Sequence, residues 1–354
     1  MAATLVQMLE MLVTYEASDL HLVVGHPPHV RINGNLLPVQ GELELSAAAA
    51  FDLIKPLLSD TQMAVFEEKK EVDFSYQYAD KARFRVNVYT QRGTIAAALR
   101  LIPLRIKNIE ELGLPPIIHE IAHYNSGLVL VTGPTGTGKS STLAAMIQEI
   151  NESRAEHILT VEDPIEFVYE PVKSVISQRE VHEDTLGWTA ALRSALREDP
   201  DIVLVGEMRD LETIQAALTV AETGHLVFAT LHTNSGPETI DRIIDVFPEH
   251  QQGQVRQQLA ASLKAVVSQR LVVNAKNDGR VAALEILMNT SAVENLIREG
   301  KTFQIDNVMQ TSGESGMMTM ETHLLTLINS GHITYEEAKR KSIRPSELDR
   351  LMGR

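Results

Sequence analysis

The chain has 354 residues, of which 44% are hydrophobic, a formal net charge of −15 at pH 7 and no cysteine. Without cysteine there are no disulfides, no thiolate catalysis and no cysteine-ligated zinc. The acidic balance argues against broad nucleic-acid binding and offers no attraction to an anionic membrane surface. No apolar run approaches the roughly 20 residues that span a bilayer, and no signal-peptide pattern is present. We therefore expect a cytoplasmic protein that binds no nucleic acid and does not insert into the membrane.

The first 102 residues predict a small α+β domain. Apolar residues recur at helical spacing from Leu5 to Leu12, and further helices are expected after Ser46 and from Asp60. Asn33-Gly34 lies between two short apolar runs, which is typical of a two-residue hairpin turn. Strands are predicted at residues 19–24, 30–32, 35–37, 73–78, 82–89 and 94–102.

Arginines lie on one face of the predicted sheet in this domain. Arg83 and Arg85 alternate with apolar residues along one strand, and Arg100 comes near the end of the next. Alternating charge usually indicates a solvated sheet face. The alternative is phosphate contact, because a guanidinium matches phosphate geometry with two parallel hydrogen bonds. The residues alone leave both interpretations open.

The remainder of the chain predicts a hinge, an α/β core and a helical end. Residues 103–124 are less periodic, and Leu114-Pro115-Pro116 indicates a hinge. From residue 125 to 290, apolar runs alternate with helical segments, which favours a doubly wound core of buried parallel strands. Residues 291–354 are predicted to be mainly helical. The apolar runs are residues 128–132, 158–161, 202–205, 226–231, 271–273 and 281–287.

A phosphate-binding motif joins the first core strand to a helix. Gly133, Gly138, Lys139 and Ser140 match G-x-x-x-x-G-K-[ST]. Glycines let backbone N–H groups approach phosphate oxygens, and the helix N-terminus adds its positive dipole end. Lys139 is expected to reach the β- and γ-phosphates, and the Ser140 hydroxyl to bind Mg²⁺. The residues predicted to bind nucleotide are Gly133, Pro134, Thr135, Gly136, Thr137, Gly138, Lys139, Ser140 and Ser141.

Acidic residues follow two other core strands. Glu207 comes after the run at 202–205, where a carboxylate positions Mg²⁺ or the attacking water. Glu162 and Glu166 belong to a cluster of three carboxylates after the run at 158–161. One of these is expected to activate water, and spacing does not separate Glu162 from Glu166.

Two histidines, His225 and His232, bracket the next core strand. A single histidine is usually structural, and two at opposite ends of one strand cannot easily touch the same phosphate. Ligands of open α/β sheets bind at the carboxyl ends of the strands. His232 is therefore the better placed of the two.

Together these motifs resemble the PilT-type retraction ATPases of type IV pili, within the secretion ATPase superfamily. The resemblance spans nearly the whole chain. Its segments are Ala17–Leu22, Ala82–Asn87, the Walker A loop Gly133–Ser141, the Asp box Glu162–Phe167, the Walker B region Ala195–Asp210 and the His box Thr223–Thr233. Residues 292–299 read Ala-Val-Glu-Asn-Leu-Ile-Arg-Glu where the family has Ala-Ile-Arg-Asn-Leu-Ile-Arg-Glu, so Glu294 replaces a basic residue.

The resemblance implies an α/β fold: a RecA-like P-loop ATPase core with a PAS-like α+β N-terminal domain and a helical C-terminal segment. The implied boundaries are 1–102, 103–124 for the linker, 125–290 and 291–354. ATP and Mg²⁺ are the implied cofactors. A homo-hexamer and an inner-membrane pilus platform protein are the implied partners, so the protein would lie at the inner face of the cytoplasmic membrane.

The resemblance also implies roles for individual residues. Glu166 rather than Glu162 would be the general base, and Glu207 the Walker B glutamate. Both His225 and His232 would belong to the nucleotide site. Arg85 and Arg100, more than Arg83, would reach the phosphates.

Three rival functions are considered beside pilus retraction. A pilus-assembly or type II secretion ATPase usually carries a four-cysteine zinc motif, which this chain lacks. A RecA-like nucleic-acid motor would use the same loop, but the net acidity counts against it. A regulatory module would bind nucleotide without hydrolysing it.

Overall fold

The structure is a computed structural model that describes residues 3–15, 17–32, 35–79, 81–102 and 105–353. The chain splits into two compact units. The first comprises Met1–Arg105 and Pro164–Val168, and the second Ile106–Asp163 and Tyr169–Arg354. The predicted domain boundaries at residues 102, 124 and 290 stay predictions.

The first unit is an antiparallel sheet with helices. Its helices are α1 (Leu5–Thr14), α2 (Ala47–Ile54) and α3 (Asp60–Lys69). Its strands are β1 (Asp19–Leu22), β2 (His29–Ile32), β3 (Asn35–Pro38), β4 (Glu71–Tyr78), β5 (Ala82–Gln91) and β6 (Thr94–Ile102). Within the described residues the sheet order is β3-β2-β1-β6-β5-β4.

Alternation along the strands gives this sheet one apolar face. On β5, Phe84, Val86 and Val88 are fully buried while Arg85 is exposed. The apolar side of α1, including Leu9 and Leu12, belongs to the same core. The predicted helix from Leu5 is therefore confirmed.

The predicted hairpin strands pair with each other. β2 and β3 are antiparallel, with Ile32 opposite Asn35. The predicted turn residues Asn33 and Gly34 lie outside the described residues.

The second unit contains a mainly parallel sheet. Its strands are β7 (Gly127–Thr132), β8 (His157–Glu162), β9 (Val175–Glu180), β10 (Ile202–Val205), β11 (Leu226–Leu231), β12 (Leu263–Val273) and β13 (Arg280–Met288). Within the described residues the order is β13-β12-β7-β11-β10-β8-β9, and β13 is antiparallel to β12. Every residue of β7 and β11 is buried, as expected for strands covered on both faces.

Helices make up much of the rest of the second unit. They are α4 (Ile117–Ala122), α5 (Lys139–Ser153), α6 (Trp188–Ala195), α7 (Leu211–Glu222), α8 (Gly236–Asp245), α9 (Glu249–Ser262), α10 (Ser291–Arg298), α11 (Ile305–Thr311), α12 (Met320–Asn329), α13 (Tyr335–Lys341) and α14 (Pro345–Leu351). Met320 and Leu324 of α12 pack with Val272 of β12 and Ala283 of β13. Among the described residues, no helix has the length and apolar content needed to cross a membrane.

Two strands differ from the sequence prediction. β9 was not predicted, because an edge strand with an exposed face needs no continuous apolar run, and Val175 to Arg179 are only partly covered. β12 begins at Leu263, eight residues before the predicted 271–273. Its polar residues Ser268 and Gln269 interrupt the apolar pattern, yet both are buried.

Candidate functional site

The glycine loop connects β7 to α5 at the carboxyl edge of the parallel sheet. Gly133, Gly136 and Gly138 have φ of 141°, 79° and 88°, a region that favours glycine. A Cβ on Gly133 would lie 2.4 Å from the backbone oxygen of Gln269, so no side chain fits there. Backbone conformation thus favours glycine at all three positions, and lack of space also requires it at Gly133.

Lys139 closes the loop from inside. Its Nζ donates to the carbonyl oxygens of Gly133 at 2.7 Å and Pro134 at 3.2 Å. The residue is only 9% exposed. The hydroxyl of Thr137 also donates to Pro134 O, at 2.9 Å. The ammonium group is therefore already held at the loop, where an anion would need it.

Glu207 and His232 meet where two adjacent strands end. β10 and β11 are parallel neighbours; His232 directly follows β11, and Glu207 comes two residues after the end of β10. His232 Nε2 lies 2.9 Å from Glu207 Oε1. Arg209 Nη2 donates to Glu207 Oε2 at 2.7 Å. The structure thus brings together two of the predicted site residues.

The Glu207 carboxyl group is held in its charged form. Burial alone would raise its pKa, but the hydrogen bond from Arg209 and the charges of His232, Arg209 and Lys139 bring the pKa below its ordinary value. The influence of Lys139 reaches this carboxylate from the glycine loop. A charged carboxylate beside the loop can hold a cation or orient a water molecule.

The donor set fits Mg²⁺ bound together with phosphate. Ser140 supplies a hydroxyl in the first turn of α5, and Glu207 supplies an ionised carboxylate. Among the described residues there is no cluster of three or more histidine, cysteine or acidic side chains that could hold a metal. Mg²⁺ commonly takes one or two protein ligands and completes its shell with phosphate and water, so these residues suffice.

The acidic cluster after β8 is divided between the two units. Glu162 ends β8, is 8% exposed and accepts a hydrogen bond from the Thr160 hydroxyl at 2.7 Å. Glu166 is exposed and lies in the segment Pro164–Val168 that groups with the first unit. The assignment of Glu166 as general base stays a prediction.

His225 lies at the opposite end of β11 from His232. Its Nδ1 is 3.0 Å from both the Thr223 hydroxyl and Val220 O. The two histidines lie seven residues apart on either side of β11, which corresponds to roughly 23 Å at about 3.3 Å per residue. Within one copy the structure therefore does not bring His225 to the loop, and its role there stays a prediction.

The predicted arginines lie on the polar face of the first unit's sheet. Arg85 is directly opposite Arg100, and Arg100 is directly opposite Asp19, which in turn faces Arg31. Arg100 Nε donates to Asp19 Oδ1 at 2.9 Å, and Arg31 Nε lies 3.6 Å from Asp19 Oδ2. We call these four residues the arginine row. Arg83 lies outside it, opposite Ile102.

Glu285 is a buried carboxyl group that contacts the start of α8. It lies on β13, is 2% exposed and accepts a hydrogen bond from Gly236 N–H at 2.8 Å, at the start of α8. Burial raises its pKa to about 7; the Gly236 N–H and Arg344 oppose this rise, and the charges of Asp306 and Glu321 add to it.

Known proteins match this chain over nearly its full length. The family described as "Type II/IV secretion system protein" matches residues 1–340. The type IV pilus retraction ATPase PilT of Pseudomonas aeruginosa is 50% identical over 333 residues, which are 94% of this chain and 96% of that protein. The chain belongs to the PilT-type retraction ATPases. This confirms the family resemblance found in the sequence.

Two further comparisons agree. A twitching motility protein of Neisseria gonorrhoeae is 50% identical over 315 residues, covering 89% of this retraction ATPase and 84% of that protein. A crystal structure of the pilus retraction motor PilT with bound ADP has a TM-score of 0.92 and 46% identity, over 98% of this chain and 99% of that one. The predicted fold class, a RecA-like P-loop core with a PAS-like α+β N-terminal domain and a helical C-terminal segment, is confirmed.

Sequence reasoning missed Gln269, which contacts the glycine loop of this retraction ATPase. Gln269 Nε2 donates to Thr137 O at 2.8 Å, and its Oε1 accepts from the Thr142 hydroxyl at 2.7 Å. The neighbouring Ser268 accepts from the Thr132 hydroxyl at 2.9 Å. The available signal was a pair of polar residues inside the apolar run Leu263–Val273, because buried polar groups require partners.

A cavity of about 440 Å³ opens beside the loop. It is lined by Pro134–Thr137, Leu271, Val273 and four basic residues. This volume is within the range of small-molecule sites, and positive charge suits an anionic ligand. The basic lining residues are Arg270, Arg280, Arg340 and Lys341.

Proposed function

We propose that this chain is a hexameric motor that hydrolyses ATP with Mg²⁺ and thereby drives retraction of a type IV pilus. The main observation that supports this proposal is the 50% sequence identity to a PilT retraction ATPase over 94% of the chain. The glycine loop closed by Lys139, beside a Glu207–His232 pair, supports nucleotide hydrolysis. Because the half-identity is to retraction ATPases, the assembly and secretion alternatives are not favoured.

In this proposal the loop residues Gly133–Ser141 bind the phosphates of ATP. Lys139 leaves its loop carbonyls to meet the β- and γ-phosphates. Ser140 and Glu207 hold Mg²⁺, which when bound neutralises phosphate charge. His232 holds the Glu207 carboxylate in place through its Nε2. The basic lining of the adjoining cavity adds positive charge that favours the anionic nucleotide.

The remaining predicted residues are proposed to complete the site in a ring of six copies. Glu166 acts as the general base, and His225 contributes to a nucleotide site. Arg85 and Arg100 stabilise phosphate charge, with Arg83 as the weaker candidate. Such a ring would act through an inner-membrane platform protein, on the cytoplasmic side, with no nucleic acid partner.

Gene deletion separates retraction from assembly. In the cell that encodes this protein, deletion should leave additional, immobile surface pili and abolish twitching. Reintroducing the unmodified gene should restore the normal number of pili and twitching. The gene for the Glu166→Gln variant should restore neither of them. Loss of pili after deletion would identify an assembly motor instead.

Phosphate release by the purified chain tests the two other rivals. Glu166→Gln should reduce turnover by at least about 100-fold, the scale of general-base catalysis. The matched control is Glu162→Gln, which changes a neighbouring carboxylate of the same cluster and should lose less. A regulatory module predicts no difference between Glu166→Gln and the unmodified chain. Stimulation by DNA or RNA would favour a nucleic-acid motor.

A further inference from the structure

Gln269 touches the glycine loop from a strand that sequence places far away. It is 4% exposed on β12, and its two amide atoms contact different parts of the site. Nε2 donates to Thr137 O, and Oε1 accepts from the Thr142 hydroxyl in α5. Because the Thr142 hydroxyl holds Oε1, the donor end of the amide is directed at the loop.

The contact fixes a peptide plane. The carbonyl of Thr137 and the N–H of Gly138 belong to one planar trans peptide, so they point in opposite directions. A donor that holds Thr137 O on the β12 side therefore sends Gly138 N–H to the other side of the loop. Gly138 has φ of 88°, and glycine adopts many other conformations at small cost. The loop sequence alone does not enforce this orientation.

We propose that Gln269 is a positioning residue that orients the Thr137–Gly138 peptide so that Gly138 N–H is presented to a nucleotide phosphate. The inference rests on the proposed function, in which the loop binds ATP. Preorganised N–H donors bind phosphate more tightly because no reorganisation is needed when the anion arrives.

Replacing Gln269 by methionine tests the donor. Gln269→Met retains length and fills the same space without a hydrogen-bonding group. We expect the affinity for ADP and ATP to fall by about tenfold or more, the scale of one hydrogen bond to a charged group. The matched control is Gln258→Met on α9, where the glutamine is partly buried and its side-chain Nε2 donates to Glu222 at 2.9 Å. The affinity of Gln258→Met for ADP and ATP should equal that of the unmodified chain.

Two further variants separate orientation from packing. Thr142→Val removes the bond to Oε1 but leaves Gln269 able to donate to Thr137 O, so it should lose less affinity than Gln269→Met. Gln269→Glu removes the donor at high pH. A protonated carboxyl regains an O–H donor, and burial raises the pKa of such a group. The affinity of Gln269→Glu relative to the unmodified chain should therefore rise from about pH 8 to about pH 6.

The outcomes distinguish this inference from the proposed function. If Gln269→Met binds nucleotide within twofold of the unmodified chain, or if the pH dependence of Gln269→Glu matches that of the unmodified chain, Gln269 does not position the loop. Should Gln269→Met fail to fold, the pH series on Gln269→Glu still decides. If instead Lys139→Ala binds and hydrolyses ATP normally, the loop is not the ATP site and both proposals fail.

Discussion

The glycine loop and the arginine row hold their cations in opposite ways. Lys139 is 9% exposed and donates to two carbonyl oxygens of its own loop. The side chain of Arg100 is 71% exposed, and Arg85 lies directly opposite it on the neighbouring strand. Asp19 is the one carboxylate within the row. Lys139 is therefore bonded before any ligand binds, whereas the row places three arginines around one carboxylate.

This difference has an energetic consequence. Like charges directly opposite each other on adjacent strands destabilise a sheet, whereas a buried and fully bonded cation supports its surroundings. The Asp19 carboxyl group limits the strain in the row. Burial acts to raise its pKa, but hydrogen bonds from Ser18 and Arg100, with the charges of Arg100 and His21, keep it below the ordinary value. An anion arriving at the row would relieve the remaining repulsion.

The largest expected effect comes from Lys139→Ala. The variant loses the ammonium that neutralises phosphate charge and the two hydrogen bonds that close the loop. We expect ATP turnover to fall by about 100- to 1,000-fold, the scale of removing one preorganised donor to a transition state. Phosphate release at saturating ATP measures it. Lys301→Ala, an exposed lysine paired with Glu299, is the control and should retain full turnover.

Glu285→Gln should change stability rather than chemistry. The pKa of Glu285 rises from 4.5 to about 7 in the fold, so the protonated form is favoured. Its stabilising contribution is complete below about pH 4.5 and is lost as pH rises through about 7. Glutamine keeps the acceptor for Gly236 and cannot ionise. We expect the variant to exceed the unmodified chain in unfolding free energy by about 3 kcal/mol above pH 7, and to match it at pH 4.

Denaturant unfolding across pH checks this, and His323 provides an internal reference. Burial lowers the pKa of His323 to about 4, so its contribution is lost as pH falls below about 6.5. Because both proteins contain His323, its contribution cancels in the difference between them, which should grow from nothing at about pH 4.5 to its full size as pH rises through about 7. A difference that is already complete at pH 4.5 would contradict the assignment to Glu285.

Arg85→Gln should give the smallest of the expected effects. It tests directly whether the arginine row, unlike the glycine loop, is under repulsion. Removing one of two opposed arginines should raise the unfolding free energy by roughly 0.2–1 kcal/mol, and salt should reduce the gain by screening. It should lower ATP turnover, as the proposed phosphate role requires. Arg31→Gln, which breaks an ion pair with Asp19, should not stabilise. A destabilised Arg85→Gln variant would show that the row is not under repulsion.

The local sequence was sufficient to predict a phosphate-binding loop, the main strands of the second unit and the protein family. The motif Gly133–Ser141 predicted a turn from local residues, because its glycines adopt φ values that favour glycine and Lys139 bonds carbonyls only five and six residues away. The runs at 128–132 and 226–231 predicted strands because burial on both faces leaves a continuous apolar signature.

Only the tertiary structure decided which distant residues meet. Gln269 reaches Thr142 across 127 positions of sequence, and Thr132 reaches Ser268 across 136, because β12 joins the sheet beside β7. The same holds for the opposition of Arg85 and Arg100, which depends on the register of β5 and β6. Composition and residue spacing predict whether a segment forms a helix or a strand. Strand order and register depend on contacts between residues that are far apart in the sequence. The residues that contact the phosphate loop from β12 were therefore identified only in the folded structure.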